Sequence, residues 1–324
     1  MKPTLLLPPT PDDSWTLAVQ AGVRYAVTKP TAALSGLPSP EQPGVLATLQ
    51  RRFADHGLTL IGLEGDPFDM APIKLGLPRR DETLDRYRQL LQRMRELGLD
   101  LLCYNFMLRL PGATHDWSRT RTDHPTRGGA LTTAFSFDDV PSAVAEPTHD
   151  TVWSNYQHFI TAVIPDAEAA GVRMALHPDD PPLPILAGVP RLFGSIDAFH
   201  RAYALAPSPA NAVTFCQANF TLMPGNPTEH ARQLADRIAF VHWRDVVGTP
   251  QDFHETFHDD GPSDMAAWVR LYAELGFTGP IRMDHAPLLS GEPQPWMPGY
   301  GTTGRLLAIA YLRGMLRGLS IAEA

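Results

Sequence analysis

The chain has 324 residues, 44% of them hydrophobic, enough for a large core and for either one α/β barrel or two ordinary domains. Its 27 Lys and Arg against 35 Asp and Glu leave a net charge of -8, which excludes a broad nucleic-acid surface because phosphate binding needs clustered cations. Two cysteines are too few for a disulfide framework, residues 1–9 do not read as a signal peptide, and no window approaches the ~20 apolar residues of a membrane helix, so a cytoplasmic protein without a membrane partner is expected.

In chain order, short β-rich apolar runs lie at 4–7, 23–28, 58–63, 99–104, 172–177, 211–216, 238–243 and 280–285. Helical periodicity separates the later ones. It is clearest over 81–97, where Leu84, Tyr87, Leu91 and Met94 share one face and Gly98 supplies the stop. Further helices are predicted at 153–170, 195–206, 228–237, 264–275 and 303–317. Eight strands alternating with helices predict a single (β/α)8 TIM barrel over residues 1–324, although a doubly wound open sheet shows the same alternation. Two interruptions stand out. Residues 107–150, rich in Gly, Pro, Thr, His and Arg, read as a loop region inserted after the fourth strand and as a candidate active-site lid. Residues 246–264 are shorter and polar, and carry His254 and His258; both interruptions follow strand ends, so both are expected on one rim.

The most informative stretch is Ala175-Leu-His-Pro-Asp-Asp-Pro-Pro182. Its prolines end the strand, leaving His177 at the mouth of an acidic loop. The last four strands each end in a metal-ligand type: His177, Cys216, His242 and Asp284. Successive strands are neighbours in a barrel and their C-terminal ends ring one opening, so these four donors are expected to converge on a divalent transition metal. Cys103, one residue before the end of the fourth strand, reads as core. At the same rim, His285 is a candidate proton-transfer group and Tyr300, in Pro-Gly-Tyr-Gly, a candidate phenol aimed into the opening. Arg244 either grips a substrate carboxylate or pairs with Asp179, Asp180 or Asp245. Glu64 and Asn105 end the third and fourth strands, and with His254 they complete the rim candidates for substrate contact.

Cys103-Tyr-Asn-Phe-Met, Asp116-Trp-Ser-Arg-Thr, Met174-Ala-Leu-His-Pro-Asp-Asp-Pro-Pro, Val213-Thr-Phe-Cys-Gln, Phe240-Val-His-Trp-Arg, Phe253-His-Glu, Gly279-Pro-Ile-Arg-Met-Asp-His and Pro298-Gly-Tyr-Gly appear in that order. Together they resemble the mannonate dehydratase family of the xylose-isomerase-like barrels. The resemblance implies Mn²⁺ or Fe²⁺ on His177, Cys216, His242 and Asp284, and His285 and Tyr300 as the catalytic acid–base pair. It also implies dehydration of a small-molecule sugar acid, D-mannonate to 2-keto-3-deoxy-D-gluconate. Lys74, Arg119 and Arg244 are then candidates to hold the anion. The alternatives are a metal-dependent sugar isomerase or epimerase, or a non-catalytic sugar-binding barrel. A homo-oligomer, taken as a dimer, is expected from apolar outer helix faces. Ala218-Asn219, Trp243 and Ala286-Pro287 depart from the family's wording and are expected to alter the pocket.

Overall fold

Eight parallel strands close on themselves. The computed structural model describes residues 1–110, 117–140 and 147–323. Its barrel strands are β1 (Lys2–Leu7), β2 (Tyr25–Thr28), β3 (Thr59–Glu64), β4 (Leu101–Tyr104), β5 (Arg173–Leu176), β6 (Asn211–Cys216), β7 (Ile238–Trp243) and β8 (Pro280–Met283). Each pairs with its neighbours in sequence, and β1 closes on β8 from Lys2 opposite Pro280 to Leu5 opposite Met283. The open-sheet alternative is thereby removed.

The outer helices are α1 (Asp13–Gln20), α2 (Val45–Asp55), α3 (Arg80–Glu96), α4 (His149–Ala170), α5 (Ile196–Leu205), α6 (Pro227–Gln233), α7 (Met265–Glu274) and α8 (Thr302–Gly318). Local chemistry sets their starts. The side chains of Asp12, Thr148, Asn226 and Asp264 cap α1, α4, α6 and α7 by accepting from backbone N–H groups of the first turn. Helices α1 and α2 were not expected from the sequence. In α1, Leu17 and Val19 are exposed, which blurs its period.

Strand alternation sorts the side chains. Leu5, Leu7, Leu102, Met174, Leu176, Val213, Phe215, Val241, Ile281 and Met283 face the helices in one large core. Leu6, Val27, Leu101, Cys103, Ala175, Ala212 and Phe240 form a second cluster between the strands. Arg282 and Asp284 continue that inner parity on β8 and just beyond it.

The two interruptions meet. Strands Arg121–Pro125 and Leu131–Ser136 from the first, and Val246–Thr249 and Asp252–Glu255 from the second, build one four-stranded antiparallel sheet. Phe253 pairs opposite Phe135, and the two rings stack at 5.7 Å. The inserted region was expected as a loop without its own strands; its pairing partner lies more than 100 residues away, beyond any local periodicity. Residues 111–116 and 141–146 of the insertion lie outside the described residues, Asp116 of the Asp-Trp-Ser-Arg-Thr motif among them.

Candidate metal centre and active site

The strand ends β5 to β7 bring three metal-ligand atoms together. One ligand atom each from His177, Cys216 and His242 lies within 4.8 Å of the others. Asp284 stands beside them, with Oδ2 3.6 Å from His242 Nδ1 and 3.9 Å from Cys216 Sγ. A second trio, Glu64, Cys103 and His242, shares the same imidazole. Cys103, expected as core, is buried in the inner cluster and also reaches His242 Nε2 at 4.0 Å.

The protonation states suit a cation. His177 Nδ1 lies 2.7 Å from the Pro178 carbonyl, which can only accept, so Nδ1 carries the proton and Nε2 keeps its lone pair. Burial pushes the His177 pKa down to about 4 and holds His242 low as well, keeping both rings neutral. Burial also pushes the Cys216 thiol up to about 12. Such a thiol loses its proton near neutrality only when a cation binds its sulfur. Glu64 Oε2 is buried without a hydrogen-bond partner. Two imidazoles and a thiol around one point, with the Asp284 carboxylate beside them, fit a divalent transition metal.

Asp284 answers to arginines as well. Burial raises its pKa, but the charges around it, Arg282 foremost, outweigh burial and hold it well below the carboxylate range. Arg282 Nη1 is 3.0 Å from Oδ1 and Arg244 Nε is 2.9 Å from Oδ2. Arg282 also donates to Glu64 Oε1 at 2.8 Å. The sequence reading passed over Arg282, although a charged residue inside an apolar strand, two positions before Asp284, must share its inward face.

The cleft over these residues is lined by Glu64, Asn105, Trp117, His177, His242, Arg282, Asp284, His285 and Tyr300, among others. His285 Nδ1 meets Glu255 Oε1 at 2.6 Å. With Glu255 ionised a proton sits on Nδ1, and Nε2 lies 3.6 Å from Asp284 Oδ1. Glu255 is buried, and although burial alone would raise its pKa, His285, Arg119 and Arg244 hold it low. It comes from the small antiparallel sheet, so its place beside His285 could not be inferred from spacing. Trp117 packs on the His285 ring at 4.9 Å and Tyr300 at 5.0 Å. The Tyr300 hydroxyl is 3.3 Å from Asp284 Oδ1, and burial keeps the phenol protonated. Gly299 and Gly301 make this approach possible: a Cβ on Gly299 would lie 2.9 Å from His285 Cγ, and one on Gly301 would lie 2.7 Å from the Pro287 carbonyl.

Four expected substrate contacts are placed elsewhere. Arg244, Arg119, Lys74 and His254 are not among the cleft-lining residues. Arg244 donates to Asp284, to Glu255 Oε1 at 2.8 Å, to Asp180 Oδ2 at 2.8 Å and to Asn219. Arg119 grips both oxygens of Asp180, at 2.8 and 3.0 Å, and reaches Glu255. Lys74 bonds Asp66 and Asn105, and His254 stacks on His124 at 4.4 Å. An acidic chain spends its buried cations on its own carboxylates. The departures from family wording also avoid the cleft: Ala218, Asn219, Trp243, Ala286 and Pro287 are absent from its lining. Trp243 packs on His258 and Tyr311, and Ala286 donates to the Gly299 carbonyl.

His258 marks a pH limit. Its Nε2 lies 2.7 Å from the Trp243 carbonyl, and burial pushes its pKa down to about 4. The unfolded imidazole binds a proton near pH 6.5, so stability falls as pH drops from 6.5 toward 4. The contribution is about 2 kcal/mol at pH 5. Thermal unfolding should therefore show a lower midpoint at pH 5 than at pH 7, and His258→Gln should narrow that gap; an unchanged gap would remove His258 as its cause.

The D-mannonate dehydratase (UxuA) family model matches residues 20–149 and 144–323. A mannonate dehydratase of Streptococcus agalactiae serotype III is 33% identical over 302 residues, 82% of this chain and 84% of that protein. The crystal structure of mannonate dehydratase from Streptococcus suis serotype 2 superposes with a TM-score of 0.88 at 27% identity, covering all of this chain and 96% of that one. D-psicose 3-epimerase from Clostridium cellulolyticum H10, with a TM-score of 0.63 and 14% identity over 98% of this chain and 99% of that one, shares the fold alone. The chain belongs to the mannonate dehydratase family.

Proposed function

We propose that the protein removes water from D-mannonate to give 2-keto-3-deoxy-D-gluconate. The observation that carries the reading is the convergence of His177, Cys216 and His242 beneath a cleft lined by His285 and Tyr300. We assign a Mn²⁺ or Fe²⁺ ion to His177, Cys216, His242 and Asp284. When bound, the ion supplies Lewis-acid stabilisation of the charge that develops beside the substrate carboxylate.

The protein's own groups divide the proton work. Glu255 holds His285 by Nδ1, and Nε2 takes the C2 proton. Tyr300, kept protonated by burial, is suited to protonate the departing 3-hydroxyl. Trp117, packed on His285, limits water at that ring. We read the inserted sheet as a wall of the cleft, supported by the buried contacts of Arg119 with Asp180 and of Glu255 with His285.

Purified enzyme with Mn²⁺ should form a 2-keto-3-deoxy acid from D-mannonate. No product from a panel of hexonates at saturating metal would overturn the reading. Proton exchange from D₂O without loss of water would move it to isomerisation or epimerisation. His285→Ala and Tyr300→Phe should each keep their metal and lose about 10²–10⁴ in turnover. Elemental analysis beside initial rates checks both.

A further inference from the structure

Lys29 follows β2 directly and lines the cleft. Pro30 holds it in extended backbone, carrying it off the strand over the rim. Its stem lies across Gly65: a Cβ there would be 3.3 Å from Lys29 Cε and 3.6 Å from Nζ. Gly65 itself lines the cleft, so the ammonium is laid against the cleft wall. The other lining cation, Arg282, is committed to Glu64 and Asp284. Arg119 and Arg244 are likewise consumed by buried carboxylates. Among the described residues, Lys29 is thus the cleft-lining Lys or Arg with no carboxylate within ion-pair distance, its charge reaching Glu64 only through space. On the neighbouring strand β3, Glu64 offers the reverse, a buried oxygen, Oε2, without a donor.

We propose that Lys29 and Glu64 form the recognition pair for a 2-hydroxy acid end: Lys29 Nζ donates to the substrate carboxylate and Glu64 Oε2 accepts from an adjacent hydroxyl. The pair matches the chemistry of an aldonate. A carboxylate gives the half-buried ammonium a charge-assisted contact, and a hydroxyl satisfies the buried acceptor, so ligand binding gains one contact and removes one unsatisfied group. A neutral alditol of the same length satisfies Glu64 and leaves Lys29 unpaired. This inference rests on the proposed sugar-acid substrate and adds the residue that reads its charge.

The test is binding by calorimetry to Mn²⁺-loaded full-length enzyme, with D-mannonate and the neutral D-mannitol as probes. Wild type should prefer the aldonate. Lys29→Met should weaken aldonate binding about 10- to 100-fold, the worth of one charge-assisted contact, while mannitol binding stays as it was. Lys29→Arg should restore part of the loss, and KM should rise more than kcat falls. Three results would overturn the proposal: no aldonate preference in wild type, unchanged aldonate binding in Lys29→Met, or an equal loss for both probes, which marks a structural role. Aldonate preference that depends on Lys29, without formation of a keto-deoxy acid, would uphold the recognition pair and remove the dehydratase reading.

Discussion

Replacing His242 with alanine is expected to abolish metal binding and turnover together while leaving the barrel folded. His242 belongs to both donor trios, one with His177 and Cys216 and one with Glu64 and Cys103. No other single change removes a donor from each. The ring is neutral and buried, so its loss leaves a cavity rather than an unpaired charge, and the fold should tolerate it. Elemental analysis should show less than a tenth of wild-type metal, and keto-deoxy acid formation should fall to background. A His242→Ala protein with normal metal content and rate would dismantle the proposed centre. Metal affinity in the wild type should also rise with pH, because Cys216, with its pKa at about 12, must release a proton to bind. Titrations at pH 6.5 and 8.5 check that sign.

The second large effect is on stability. Arg244→Met should destabilise the protein by about 3–5 kcal/mol, the usual cost of leaving a buried charge without its partner. Three carboxylates lose a donor at once: Asp180, Glu255 and Asp284. Arg119 still covers Asp180 and Glu255, and Arg282 still covers Asp284, which keeps the loss from being the sum of three. The unfolding midpoint should fall by about 4–7 °C. The same variant separates two readings of Arg244. A guanidinium that gripped the substrate would raise KM and leave the midpoint alone. One that ties three carboxylates together lowers the midpoint whether or not substrate is present.

The part of the site that was legible in the sequence is the part governed by strand ends. His177, Cys216 and His242 close consecutive β-rich runs, and in a parallel barrel consecutive runs end side by side. Asp284 came from the same logic, although β8 stops at Met283, one residue before it. Arg282 was within reach of that logic too, through its two-residue spacing from Asp284. Lys29 was hidden because its strand shows only four residues, Tyr25–Thr28, and a weak pattern.

The remainder depends on contacts that no local pattern encodes. Glu255 reaches His285 because strand Asp252–Glu255 pairs with Leu131–Ser136, two segments that read separately as polar loops. Whether Arg119, Arg244 and Lys74 meet substrate or carboxylate turns on which acids share their buried space. The sequence by itself determined the barrel, its rim and the metal-ligand types, because strand parity and parallel order decide which way a side chain points. Only the tertiary structure decided which cations remain free and which imidazole gains a carboxylate, because charge pairing follows distance through space, and those distances are set where remote loops meet.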